Sequence, residues 1–143
     1  DPGRAVHFNN YRSNTVALND CRVVDSNISG ASHHSVGADN CQNVTVEGCT
    51  LSNLERSAIW MYGTDESEIL DNEVKSSAGN VNTGGSGNGT ANVIVRGNRI
   101  AQTLDVLSGT DTAIVSNNIL GAINDTGTNV ESHDNFIGGT WTA

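Results

Sequence analysis

The sequence predicts an all-β solenoid, and two observations carry that expectation: an eight-residue phrase recurs along the chain, and apolar and polar residues alternate inside it. The clearest copy is Val93-Ile94-Val95-Arg96-Gly97-Asn98-Arg99-Ile100. It reads apolar, any, apolar, any, turn residue, Asn, any, aliphatic. Five further copies run Val16 to Val23, Val44 to Leu51, Ser67 to Val74, Ala113 to Leu120 and Val130 to Ile137. Aligned on the sixth position, the copies put Cys21, Cys49, Asn72, Asn98, Asn118 and Asn135 in one column, at intervals of 28, 23, 26, 20 and 17 residues. The eighth position is aliphatic in every copy. A unit this small cannot bury its apolar face alone, so it must stack on its neighbours.

Each unit divides into short strands. Alternation is the period of a strand, so Val44, Val46 and Leu51 point inward while Thr45 and Glu47 point outward. The pairs Gly48-Cys49, Asp71-Asn72 and Gly97-Asn98 interrupt the alternation with residues that tolerate a left-handed backbone, which makes a tight bend. A further apolar run accompanies the phrase at Val36, Ala58-Ile59-Trp60-Met61, Val81, Leu104-Asp105-Val106-Leu107 and Ile123. Three short strands per coil, with no helical pattern between them, describe a right-handed parallel β-helix of about six coils. Coils stack roughly 4.8 Å apart, so the stack spans roughly 30 Å. Asn repeated at the bend forms a partial ladder in the last four coils. Cys21 and Cys49 take its place in the first two.

These residues resemble the right-handed parallel β-helix repeat, or pectate-lyase-like, superfamily. Its repeat reads roughly G-I-x-x-x-G-S-x-N-V-x-I-x-x-N-x-I. Residues 58 to 74 follow it with Ala58-Ile59-Trp60-Met61-Tyr62-Gly63, Ile69, Asp71-Asn72 and Val74. The resemblance covers nearly the whole chain. It implies company with polysaccharide lyases, uronan epimerases, polygalacturonases and phage tailspikes. A shared architecture does not carry a shared activity.

Composition narrows the classes. The chain has 143 residues, enough for one β-helix domain over 1–143, and 36% of them are hydrophobic with 4% aromatic. A solenoid with a thin aliphatic core fits those figures. Sixteen Gly and one Pro suit many turns and uninterrupted strands. The net charge is −9 and Lys75 is the single lysine, which argues against nucleic acid and anionic membrane as partners. No apolar run reaches membrane-spanning length. The repeat starts at once without a capping segment, so the chain reads as a processed or excised piece of a larger protein. Its ends call for neighbouring coils of a parent chain or for other subunits.

Three cysteines leave one over. Cys21 and Cys49 share a column in adjacent coils, which is compatible with a disulfide and with two buried thiols. No spacing resembles a zinc site. The sequons at Asn27, Asn43, Asn88 and Asn124 match chance frequency. Asp65, Glu66, Glu68 and Asp71 cluster near one turn, either as a calcium site or as a solvated acidic edge.

Loops on a rigid scaffold are where function concentrates. The gaps between the eighth position and the next apolar run shrink along the chain, from 13 positions between Val23 and Val36 to 3 between Leu120 and Ile123. A glycine-rich insertion, Thr83 to Gly89, interrupts one coil elsewhere. The N-terminal loops carry His33, His34, Glu55 and Arg56. Beside them, alternation turns Trp60 and Tyr62 outward and Ile59 and Met61 inward. Trp60, Tyr62, Arg56 and Glu55 are the candidate polysaccharide-binding residues. By the resemblance, a lyase or epimerase needs a base, an acid and a group that neutralises the uronate carboxylate. His33, His34, Arg56 and Tyr62 could fill those roles. Asp39 and Asp65, in similar turns one coil apart, are the alternative pair for glycoside hydrolysis. The expected function is a surface-exposed structural or adhesive module of an extracellular, cell-surface or virion assembly that contacts polysaccharide. The alternative is a lyase or epimerase fragment.

Overall fold

A computed structural model describes residues 5–9, 18–75, 79–84, 89–138 and 140–141. Val16, which opens the expected first copy, and residues 85–88 of the glycine-rich insertion, with the Asn88 sequon, lie outside them. Every described element is a strand. In chain order they are β1 (Val6–Asn9), β2 (Leu18–Val24), β3 (Asn27–Ser29), β4 (Val36–Asp39), β5 (Cys41–Glu47), β6 (Thr50–Ser52), β7 (Ile59–Tyr62), β8 (Asp65–Leu70) and β9 (Glu73–Val74). They continue with β10 (Val81–Thr83), β11 (Thr90–Arg96), β12 (Arg99–Val106), β13 (Thr110–Ser116), β14 (Ile119–Asp125), β15 (Thr128–His133), β16 (Phe136–Ile137) and β17 (Thr140–Trp141).

Two sheets wrap one core. The phrase supplies a six-stranded parallel sheet in the order β15-β13-β11-β8-β5-β2, one strand from each copy. The other strands form an eleven-stranded sheet along β1-β4-β7-β10-β12-β14-β16-β17, with β3, β6 and β9 joined at its side. Three strands per coil hold for the early coils. Later, the second and third strands fuse, so that β12 pairs with both β9 and β10. Only four positions separate Ile100 from Leu104, which leaves room for a bulge but not for a loop.

Parallel register lines up the interior in columns. Val36, Ile59, Val81, Leu104 and Ile123 form one stack. Val23, Val46, Ile69, Val95 and Val115 form the facing one. Leu51, Val74, Ile100, Leu120 and Ile137 form a third beyond the bend. Most of these side chains are fully buried. Two corners repeat in the left-handed region. One carries Asp20, Asn43, Glu66, Asn92, Thr112 and Asn129, and the other carries Asp25, Gly48, Asp71, Gly97, Asn117 and Asp134. Asn, Asp and Gly dominate both because they enter that region at least cost.

The ladder stands from Cys49 to Asn135. Each Asn Oδ1 accepts from the preceding coil: Cys49 N–H to Asn72 at 2.9 Å, and Asn72 N–H to Asn98, Asn98 N–H to Asn118 and Asn118 N–H to Asn135, each at 3.0 Å. The side-chain amides of Asn72, Asn98 and Asn118 donate to the next Oδ1 in the same direction. They also donate back to Val46, Ile69 and Val95 carbonyls. The Cys49 thiol takes the equivalent place, donating to the Val23 carbonyl at 3.5 Å.

The first copy needs correction. Cys21 pairs with Val44 and Val23 with Val46, so the true copy runs Cys21 to Ile28. Ser26, not Cys21, occupies the ladder position, and its hydroxyl donates to the Val24 carbonyl at 2.8 Å. Ile28 replaces Val23 at the eighth position. The first loop then shortens to eight positions, equal to that between Leu51 and Ile59. A Cys21–Cys49 disulfide is excluded by this register, and all three thiols are free. At one edge of the larger sheet, β17 folds back antiparallel on β16.

Two stability predictions follow from these columns. Asn98 satisfies buried donors and acceptors on both neighbouring coils, so Asn98→Ala should destabilise by about 3 kcal/mol in urea unfolding. Ser67 lies fully buried between Val44 and Val93, and its hydroxyl has no hydrogen-bond partner among the described residues. Ser67→Ala should therefore raise stability by about 1 kcal/mol in the same assay.

Candidate functional site

Strand β7 sits inside the larger sheet between β4 and β10. Its side chains alternate as expected, with Ile59 and Met61 fully buried and Trp60 and Tyr62 half-exposed. The two outward rings lie 6.4 Å apart between centroids, with their planes 31° apart. His34 packs on Trp60 with centroids at 4.8 Å and planes 30° apart, and His33 meets His34 edge-on at 3.9 Å. His34, Trp60, Tyr62 and Asp39 line a groove of about 220 Å³.

Register adds two residues that the sequence reading did not place here. Asp39 pairs with Tyr62 across β4 and β7, and His7 pairs with Gly37 across β1 and β4. His7 Nε2 lies 2.6 Å from Asp39 Oδ2, and each side chain is about one-sixth exposed. Gly37 makes this pair possible. A Cβ on Gly37 would stand 2.9 Å from His7 Cδ2, so any larger residue would displace the imidazole. The signal in the sequence was a glycine inside an otherwise regular strand, which marks close approach of another group.

Other expected residues fall elsewhere. Glu55 and Arg56 are exposed on the loop after β6 and do not line the groove. Asp65 aligns with Gln42 rather than with Asp39, so the expected aspartate pair does not share a column. Asp65 accepts from the Asn92 side chain at 2.8 Å and from the Glu66 backbone at 3.0 Å. Among the described residues, no cluster of three or more His, Cys, Asp or Glu is arranged to hold a metal ion. The groove thus offers an aromatic row with a His–carboxylate pair at its edge. Such a set can stack on an apolar sugar face and hydrogen-bond to hydroxyl groups.

A family profile described as the right-handed β-helix region matches residues 5–139. The chain belongs to the right-handed β-helix family. Comparison with curated proteins and with solved structures finds no match. Membership assigns the hand of the solenoid. It leaves the chemistry of this β-helix to be read from its own surface.

The Gly37 contact generates a prediction at this site. Gly37→Ala should separate His7 from Asp39 while the fold stays intact. The check is the ring nitrogen chemical shifts of His7 by nuclear magnetic resonance, which should change in Gly37→Ala as the bond to Asp39 is lost, while those of His133, far along the solenoid, stay fixed.

Proposed function

We propose that the protein is a surface-exposed structural or adhesive β-helix module that contacts polysaccharide through the His34–Trp60–Tyr62 row. One observation carries this reading: two adjacent outward aromatics on a central strand, half-exposed although every neighbouring inward position is filled. An aromatic pair held by a stiff parallel sheet loses little freedom when a sugar stacks on it. Polar groups around it give direction. Asp39 stands beside Tyr62, and Asn82 stands beside Trp60 on the next coil.

The same reading places the module in an extracellular, cell-surface or virion assembly. Strands β2 and β15 bound the six-stranded sheet. Their outer edges would continue into neighbouring coils of a parent chain or meet other subunits.

The His7–Asp39 pair favours a second reading, a lyase or epimerase on acidic polysaccharide. A histidine oriented by a carboxylate next to a tyrosine is a proton-transfer set. Its base would be His7 or His34 and its acid Tyr62.

One experiment separates the two readings. Binding to a panel of neutral and acidic polysaccharides is measured by affinity electrophoresis, with release of unsaturated uronate followed by ultraviolet absorbance. Retention without product, weakened at least about tenfold in Trp60→Ala, agrees with the binding module. Product that vanishes in Tyr62→Phe and His7→Ala moves the assignment to the enzyme. Unchanged retention in a folded Trp60→Ala would remove this groove from the function.

A further inference from the structure

The groove around Trp60 presents electron-rich groups and a carboxylate. Its lining is His34, Asp39, Trp60 and Tyr62. The faces of the two aromatic rings carry the negative side of their quadrupoles. Asp39 stands beside Tyr62, and its Oδ2 is held 2.6 Å from His7 Nε2. An ionised carboxylate accepts hydrogen bonds and donates none. A ligand that meets Asp39 must therefore bring the donor.

The surface along the coils continues the pattern. In the column of Trp60, the following outward positions are Asn82, Asp105 and Asn124. Asp105 accepts from the Asn80 side-chain amide at 3.0 Å and from that of Asn124 at 3.2 Å. Among the described residues, the basic side chains lie outside the groove and this column. Arg22 reaches Glu47 at 3.4 Å on the smaller sheet, and Arg96 belongs to that sheet too. Lys75 pairs with Glu73 at 2.9 Å, and Arg99 stands beside Glu73 on the next coil. Arg56, on the loop after β6, does not line the groove.

The geometry points to an uncharged glycan as the ligand of this groove, with Asp39 as the residue that excludes polyuronates. The inference rests on the reading of the groove as a polysaccharide contact and adds the class that it takes. A neutral pyranose offers a C–H face to Trp60 and Tyr62 and hydroxyl donors to Asp39. A uronate ring offers the same face but carries a carboxylate of its own. That group is acceptor-only as well, so beside Asp39 it sets two anions together with no proton to share. No lysine or arginine among the lining residues offsets the repulsion. The net charge of −9 acts in the same direction at longer range.

The test compares each polyuronate with its own carboxyl-reduced product, which keeps every linkage and replaces each carboxylate by a hydroxymethyl group. Alginate and pectate oligosaccharides and their reduced forms are immobilised. Retention of the folded protein is measured by frontal affinity chromatography in about 1 M sodium chloride, where the Debye length is about 3 Å and long-range charge is screened. The expected result is that a reduced form retains the protein at least about tenfold more strongly than its parent. Trp60→Ala should weaken that retention. Asp39→Asn, whose amide can donate to a carboxylate, should narrow the difference between the two forms. Equal or stronger retention on a parent polyuronate, lost in Trp60→Ala, would overturn the inference and leave the groove a polysaccharide site. An undiminished difference in a folded Asp39→Asn would overturn it as well. Retention on no column, or retention that a folded Trp60→Ala leaves unchanged, would remove the reading of the groove and the inference with it. The wild-type comparison decides the class even where Asp39→Asn does not fold.

Discussion

The column of side-chain amides from Asn72 to Asn135 is the constraint on which the rest of the structure depends. Parallel coils of unequal length, with intervals from 17 to 26 residues between ladder positions, have no covalent reason to stack in one register. The amides supply it. Each Oδ1 accepts both the backbone N–H and, from Asn72 onward, the side-chain amide of the coil before it. A slip of one residue would leave these buried groups unpaired and would turn every strand's apolar set outward. The aliphatic stacks fill the interior, but the amides decide which residues stack.

From that register follows the outward face. Trp60 and Tyr62 point to solvent because Ile59 and Met61 are held inward beside Val36 and Ala38. Asp39 stands beside Tyr62 for the same reason. His7 reaches Asp39 across a position where the chain carries no side chain. The groove is thus built from Asp39, Trp60 and Tyr62, placed by strand pairing, and from His34, packed on Trp60, with His7 joining Asp39 at its edge. Loop length adds to this. The coils that carry the groove have eight positions for their connecting loops, whereas later coils have three or four and run their strands together.

Much of this was legible in the sequence, because alternation and stacking are local and periodic. The columns headed by Val36 and by Leu51 were readable residue by residue, as were five of the six ladder positions. The first copy was misread for a physical reason. Cys21 and Val23 fit the pattern of a small residue followed by an aliphatic as well as Ser26 and Ile28 do, and only strand pairing distinguishes them. The His7–Asp39 pair was invisible for another reason. Residues 32 positions apart meet only once β1 and β4 are known to pair and Gly37 is seen to leave room. Fusion of the second and third strands in β12 and β14 depends on a bulge that no residue type announces.

The most direct measurement of the central claim is amide hydrogen exchange by nuclear magnetic resonance on the native protein. The account predicts that the backbone amides of Asn72, Asn98 and Asn118 exchange as slowly as those of Val95 and Val115 in the middle of the sheet, although they lie at bends. Exchange at those three amides as fast as at exposed corners such as Asn92 and Thr112 would contradict it, and would mean that apolar stacking alone sets the register.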